Sequence, residues 1–318
     1  MADMVEKTRV AFLEKAAWWD VEGAHVVNAR VPGADFLRLA KMDYQIATEE
    51  VTREIGGTRI IVPNQFHIVR SDDQRVVSPS TVTGQYVTRQ PSDAVEIVDD
   101  IVQNGLGLWD AAFTLYGGQS EVVTVRLCDI DEQVACDDSK WATFLVIQNY
   151  HGTGKMRGKI VRHRVVCHNT VTSGFAGGAD WAFTHKKSIR EKSAGVPKMW
   201  QQAADAVREH CQRLAKLDKV VSIPDTIDQL LAIDDEATTQ QKNRRDAILA
   251  AANDPSNGTF GKTLYDIFNA VTFYTTHHAG GKAGKTASGR MESILDGTRG
   301  NFEAEMTGKL FQLAGIQV

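Results

Sequence analysis

The chain has 318 residues, a formal net charge of −4 and 42% hydrophobic residues, which is ordinary for a globular protein that buries a full core. No stretch approaches about eighteen consecutive apolar residues, so we expect no membrane-spanning segment and no membrane partner. The weak negative charge argues against a dedicated duplex-DNA binder. The four cysteines (Cys128, Cys136, Cys167 and Cys211) form no Cys-x-x-Cys pair, which is typical of free thiols in a reducing compartment.

The first forty residues are predicted to be helical, with helices over 5–17 and 34–40. The N-terminal stretch lacks the apolar centre of a signal peptide, and we therefore expect a cytoplasmic protein. From about residue 41, short β-prone runs alternate with turns such as Ile55-Gly56-Gly57, which is typical of an antiparallel meander.

A helix is predicted to open at Ser92-Asp93, with its apolar residues on one face so that it can pack across the sheet. The next predicted strands cover 111–116, 121–127, 141–150 and 159–166, with turns at Gly117-Gly118 and Gly152-Thr153-Gly154. The run over 141–150 is strongly β-prone, and the residues after the second turn alternate between two faces of a strand.

After Asn169 the hydrophobic period becomes helical. The predicted helices cover 196–218, 225–233, 236–253 and 260–277, followed by a mobile Gly/Lys/Ala/Ser stretch over 279–289 and a last helix. The sequence thus predicts an α+β fold, a mostly antiparallel β meander with a helix packed across it, followed by an all-helical C-terminal half. We divide it into N-terminal helices (1–40), an antiparallel α+β core domain (41–192) and a helical C-terminal region (193–318).

One segment, 149–192, is basic within an acidic protein. Nine cations against Asp180 and Glu191 give it a net charge of about +7, so the remainder carries about −11. A local charge of this sign is typical of contacts to a phosphate backbone. The cations are Lys155, Arg157, Lys159, Arg162, Arg164, Lys186, Lys187, Arg190 and Lys192.

The leading hypothesis from these residues is single-stranded DNA binding, with strand annealing that needs no nucleotide hydrolysis. We expect the hairpin cations, from Lys155 to Arg164, to form one continuous outward-facing groove, extended by Lys186, Lys187 and Arg190. Tyr150 could stack on a base, or pack in the core instead. The hypothesis requires no cofactor and includes assembly into a homo-oligomer.

Three other patterns have simpler interpretations. Residues 279–286 fit a relaxed nucleotide-binding loop, but a predicted helix precedes them where a strand is required, so we interpret them as a linker. The glycines at 152, 154 and 158 precede a strand rather than a helix, which favours a hairpin tip over a dinucleotide loop. The residues His151, His163, Cys167, His168 and His185 lack the paired spacing of a metal site, and we predict none.

Several motifs occur in a recognisable order. They are Met42-Asp43-Tyr44-Gln45-Ile46, Gly117-Gly118, Gln148-Asn149-Tyr150-His151-Gly152-Thr153-Gly154, Arg164-Val165-Val166-Cys167-His168-Asn169-Thr170, and Phe268-Asn269-Ala270-Val271-Thr272 with His277-His278. Over nearly its whole length the chain resembles the phage/plasmid-like proteins of a family of unknown function (domain of unknown function 932). The resemblance implies a mobile-element setting in a bacterial host and no established activity.

The resemblance singles out five motif residues, which are Asn149, His151, Gly152, Cys167 and Asn169. Where the family usually reads Ser-His-Asp-Gly-Ser, this chain reads Tyr-His-Gly-Thr-Gly from Tyr150. The loop therefore lacks the acidic residue that a catalytic carboxylate there would need.

Two further hypotheses belong to other classes of function. A protein-interaction factor that modulates host defence or replication would use the acidic segment 91–138, of charge about −10, against a basic host protein. An enzyme, the third hypothesis, would need one pocket that unites Asn149, His151, Cys167 and Asn169.

Overall fold

The computed structural model describes residues 10–13, 25–27, 31–78, 80–115, 118–127, 134, 141–151, 155–164, 169–171, 181–184, 196–257, 259–278 and 298–317. The predicted α+β class is confirmed: antiparallel strands dominate the first half and helices the second. The predicted mobile stretch over 279–289 lies outside the described residues, as does the nucleotide-loop pattern at 279–286.

The largest element is an eight-stranded sheet. Its strands are β1 (Val10–Leu13), β2 (His25–Val27), β5 (Gly107–Leu115), β6 (Ser120–Leu127), β7 (Trp141–Tyr150), β8 (Lys155–Arg164), β9 (Asn169–Val171) and β10 (Trp181–Thr184). Strands β5 to β8 form the predicted antiparallel meander, and β1 pairs with the outer side of β5. On the opposite side of the meander, β8 pairs with β10 at its first residues and with β9 at its last.

A separate two-stranded hairpin consists of β3 (Ile46–Ile55) and β4 (Thr58–Arg70), joined at Gly56-Gly57 as predicted. Both glycines have positive φ, at 57° and 80°, which a two-residue turn of this kind requires.

Two helices lie with the sheet, α1 (Gly33–Leu39) and α2 (Pro91–Gln103). The predicted apolar face of α2, which includes Val95, Val98 and Ile101, is buried in the same core as sheet residues such as Val123 and Ile147. Phe36 of α1 stacks on Trp109 of β5, with 5.1 Å between the ring centroids. The helix packed across the meander is therefore confirmed.

Five helices follow: α3 (Val196–Ala215), α4 (Ile223–Leu231), α5 (Thr239–Ala252), α6 (Leu264–Phe273) and α7 (Thr298–Leu313). Helices α5 and α6 begin with capping boxes, at Thr238 with Gln241 and at Thr263 with Asp266. Helix α6 continues as a π-helical turn over Tyr274–His278. None of the described helices combines the length and apolar content that a bilayer crossing demands.

Two predictions about elements are wrong. The helix predicted over 5–17 is a strand at Val10–Leu13, because these residues pair with Ala111–Phe113 of β5. The segment after Asn169 was predicted to be helical, yet Asn169–Val171 and Trp181–Thr184 are strands that complete the outer edge of β8. In both places long-range pairing overrides the local pattern.

Candidate nucleic-acid interface and buried carboxylate cluster

The β7–β8 hairpin presents two different faces, because alternate residues of a strand point to opposite sides. Met156 and Ile160 lie on the core face, which packs with α2. Lys155, Arg157 and Lys159 lie on the opposite face. Farther along the same strand this opposite face is apolar and fully buried, at Val161 and its cross-strand partner Phe144.

Three of the predicted cations therefore share one surface at the turn end of the hairpin. Lys155 is exposed, and Arg157 and Lys159 are half-buried. Tyr150 is half-buried and pairs with Lys155, and Gln148 pairs with Arg157. We name this set, Tyr150, Lys155, Arg157 and Lys159, the cationic corner.

Arg162 does not belong to the cationic corner, and the expectation of one continuous outward groove is wrong for this residue. It lies on the core face and is fully buried. Its Nη1 donates a hydrogen bond to the Sγ of Cys211 on α3, at 2.9 Å. The reason is its position in the strand, since Arg162 has the same parity as the core residues Met156 and Ile160.

Of the remaining predicted site residues, the structure gives Arg164 a position in the backbone ladder and does not describe five others. Backbone pairing puts Arg164 opposite Asn169 at the far end of β8. Lys186, Lys187, Arg190, Gly152 and Cys167 lie outside the described residues.

On the core face, the same hairpin contributes to a buried carboxylate cluster around Glu121 of β6. Glu121, Asn149 and His151 are fully buried. Glu121 Oε1 accepts a hydrogen bond from the Tyr44 hydroxyl at 2.8 Å, and Oε2 accepts one from Asn149 Nδ2 at 2.7 Å. The Nε2 of His151 lies 3.3 Å from Oε1 of Glu121.

A second layer of polar groups surrounds this cluster. The hydroxyl of Tyr86 lies 3.3 Å from Nδ1 of His151. Burial, and next the negative charge of Glu121, raises the pKa of Tyr86, so its phenol keeps its proton. The guanidinium of Arg70 lies 4.6 Å from the ring centroid of Tyr44 and pairs with Asp72 and Asp73.

The buried carboxylate cluster is a hydrogen-bonded network that joins separate segments of the chain. Both oxygens of Glu121 accept hydrogen bonds, and the cluster joins β6 and β7 to the segment that leads into β3 and to the segment before α2. Because its three central side chains are fully buried, none of them presents an atom to solvent in this conformation. We therefore assign the cluster to holding the end of the β7–β8 hairpin in place.

The pocket required by the enzyme hypothesis does not form from the described motif residues. Asn149 pairs with Met156 at one end of β8, whereas Asn169 pairs with Arg164 at the other. Eight residues of strand separate those two partners, which is roughly 26 Å at 3.3 Å per residue.

The comparison with protein families supports the resemblance drawn from the motifs. The family model described as "Domain of unknown function (DUF932)" matches residues 79–295, more than half of the chain. The protein belongs to this family. No curated protein and no solved structure matches the chain.

The matched region of this DUF932 member includes the β7–β8 hairpin, Glu121 and most of the helical half. Tyr44 and Arg70, which complete the buried carboxylate cluster, lie before its first residue. The cluster thus joins the matched region to the preceding segment.

The motifs named Asn149 and His151 but missed their partner, Glu121. A signal for it existed: Glu121 has the same strand parity as Val123, Val125 and Leu127, all of which are core residues. A carboxylate in the core register of an apolar strand needs buried donors. Tyr44 and Tyr86 could not be found in this way, because they reach the cluster from distant parts of the chain.

Proposed function

We propose that this protein binds single-stranded DNA through the cationic corner, Tyr150, Lys155, Arg157 and Lys159. The observation that supports the proposal is that the three cations occupy alternate positions of one strand and so project from the same face. The buried Arg162 is not part of this site.

The spacing of these cations suits an extended polyanion. Alternate residues of a β-strand are about 7 Å apart, so the three charges follow a line along the strand rather than a compact cluster. An extended single strand offers its phosphates in a comparable row. Proteins that bind single strands without sequence preference combine such a positive track with aromatic rings on which bases stack.

The neighbouring ring is Tyr150, directly across the ladder from Lys155. One face of its ring would stack on a base while Lys155 neutralises the adjoining phosphate. Because the contact is electrostatic and leaves the base edges free, it is compatible with strand annealing that requires no nucleotide hydrolysis.

The test is a salt titration of the affinity for a fluorescent single-stranded oligonucleotide. The triple variant Lys155→Ala, Arg157→Ala, Lys159→Ala should bind the oligonucleotide more weakly. Its plot of log K against log salt should be less steep by about 2, since each single-strand phosphate contact contributes about 0.7 to the slope. A matched control removes three exposed lysines of the helical half, Lys216, Lys242 and Lys262, and should leave the slope unchanged. Equal binding by both triple variants would refute the proposal.

A second candidate, a protein-interaction factor, is favoured by one observation on the β3–β4 hairpin. Ile55, Ile60 and Ile61 are 62%, 45% and 52% exposed near its tip. Exposed apolar side chains gathered on one element are typical of a protein-binding surface. A stoichiometric host protein retained by the wild type but not by Ile60→Ser, together with no DNA retention at low salt, would favour this candidate.

A further inference from the structure

The outer part of the β3–β4 hairpin stands away from the rest of the described molecule, whereas its base, at Ile46 and Ile68, belongs to the core. All of residues 53–61 are exposed, although they belong to two paired strands. A two-stranded hairpin alone in water is marginally stable, and an uncovered edge strand is a template for further pairing. We name residues 46–70 the arm.

The side chain of Gln90 marks the direction of the β3 backbone. It accepts a hydrogen bond from the Ile46 amide through Oε1 and donates one to the Ile46 carbonyl through Nε2. The Ile46 backbone groups therefore point away from β4. Because the direction alternates along an antiparallel strand, those of Thr48 and Glu50 do the same.

The turn at the tip fixes the direction of the backbone groups in the other half of β3. In a two-residue hairpin turn the closing pair, Ile55 with Thr58, is hydrogen-bonded, so the next pair, Glu54 with Arg59, is not. The backbone groups of Glu54 and Thr52 therefore point outward as well. Within the described residues the outward groups from Thr48 to Glu54 have no backbone partner.

This edge is complementary in charge to a second copy of itself. In a two-fold antiparallel pair of β3 strands, outward groups must meet outward groups, so even-numbered residues face even-numbered residues. With Val51 on the axis, Glu49 faces the partner's Arg53, and Ala47 faces the partner's Ile55. Glu50 then faces the partner's Thr52, and no like charges meet.

The four neighbouring registers each place like charges opposite one another. A two-fold axis at Glu49, Glu50 or Arg53 sets that residue against its own copy, and an axis at Thr52 sets Glu50 against the partner's Glu54. Like charges directly across a ladder destabilise the pairing, and opposite charges stabilise it. The register on Val51 is thus the one that the charges of β3 select.

We propose that the protein forms a two-fold homodimer through the β3 edges of its arms, with Val51 at the axis. The product is a four-stranded sheet in which the two β3 strands are central and the exposed isoleucines of both tips lie near the joint. An interface of this kind is isologous, since the same strand supplies both sides. It is independent of the cationic corner, so failure of the DNA-binding test leaves it standing.

Charge swaps at the edge test the proposal by analytical ultracentrifugation. Arg53→Glu and Glu49→Arg each place two pairs of like charges across the joint and should weaken the dimer at least ~10-fold. The double variant restores opposite charges and should dimerise like the wild type. Lys242→Glu, an exposed charge reversal on α5, is the matched control and should have no effect.

Disulfide trapping tests the register. Val51→Cys places two thiols on a non-hydrogen-bonded pair, about 4.5 Å apart at Cα, and should give a covalent dimer under mild oxidation. Ile55→Cys carries the same native cysteines but would hold its thiols roughly 26 Å apart, and should not. A monomeric wild type at its highest soluble concentration, a dimer that survives Arg53→Glu, or trapping at residue 55 instead of 51 would overturn the proposal.

Discussion

Arg162 of β8 donates a hydrogen bond from Nη1 to the Sγ of Cys211 on α3, at 2.9 Å, and so joins the sheet to the helical half. Both residues are buried, and His210 lies next to Cys211 in the chain. Four of the five cations of β8 therefore take two different roles: Lys155, Arg157 and Lys159 lie at one partly exposed face, and Arg162 lies inside.

The first prediction follows from this division. Arg162→Met should lower the free energy of unfolding by about 1–3 kcal/mol, because it removes a buried charged donor and leaves its acceptor without that bond. The affinity of the folded protein for single strands should not change. Urea unfolding followed by fluorescence gives the first quantity and the salt titration the second. If the Arg162→Met protein is stable but has lost DNA binding, Arg162 belongs to the binding site and the prediction is wrong.

The second prediction concerns the buried carboxylate cluster. Glu121→Gln should cost about 1–3 kcal/mol of stability, since the amide nitrogen must face either the Tyr44 hydroxyl or the Asn149 amide, and both donate to Glu121. Tyr44→Phe should cost about 1 kcal/mol, the net value of one hydrogen bond.

Glu305→Gln is the control for that substitution. Glu305 is well exposed and forms a surface ion pair with Lys309, so the change should stay within about 0.5 kcal/mol. Urea unfolding of all three variants provides the comparison. Equal stability of Glu121→Gln and the wild type would show that the cluster anchors nothing.

Local pattern was sufficient to predict the central part of the fold. The predicted run over 141–150 coincides with β7, and the apolar spacing of α2 placed it correctly across the sheet. Both signals are periodicities that the local chain carries by itself. The strands at Val10–Leu13 and Trp181–Thr184 carry no such signal, because they exist only through pairing with β5 and β8.

The candidate site was predictable only in part, for a related reason. Charge identifies a basic segment, but strand parity decides which cations reach its surface, and parity already separates Arg162 from Lys155, Arg157 and Lys159. The buried carboxylate cluster depends on a tyrosine 77 residues away in sequence from its glutamate. No periodicity encodes a contact at that separation.

The third prediction is an unusual pH dependence from Asp110. Burial raises the pKa of this carboxyl from 3.8 to about 7, and the Thr124 hydrogen bond and Arg126 only partly oppose the shift. The folded protein thus holds a proton that the unfolded chain releases between these values. Asp110 therefore makes stability fall as the pH rises from about 4 to about 7, by up to roughly 4 kcal/mol.

Asp110→Asn removes this titration. Its free energy of unfolding relative to the wild type should increase between pH 5 and pH 8, which urea unfolding at several pH values measures. A constant difference across that range would mean that Asp110 does not titrate in it.

The fourth prediction concerns His210, which makes stability depend on pH in the opposite direction to Asp110. Burial lowers the pKa of this imidazole from 6.5 to about 3, with further contributions from Arg162 and Arg213, and the neutral ring lies edge-on to Phe268 and Phe311. The unfolded chain binds a proton between these values and the folded protein does not. Stability from His210 is thus complete above pH 6.5 and is lost as the pH falls toward 3, by up to roughly 4–5 kcal/mol.

Because Asp110 and His210 titrate over nearly the same range with opposite signs, each hides the other in the wild type. The His210 effect should therefore be measured on an Asp110→Asn background, where acidification from pH 7 to pH 4 should destabilise the protein steeply. Adding His210→Phe, which keeps an aromatic ring between Phe268 and Phe311, should flatten that dependence. If the double variant loses stability on acidification as fast as Asp110→Asn alone, another group is responsible and His210 is not the acid-sensitive residue.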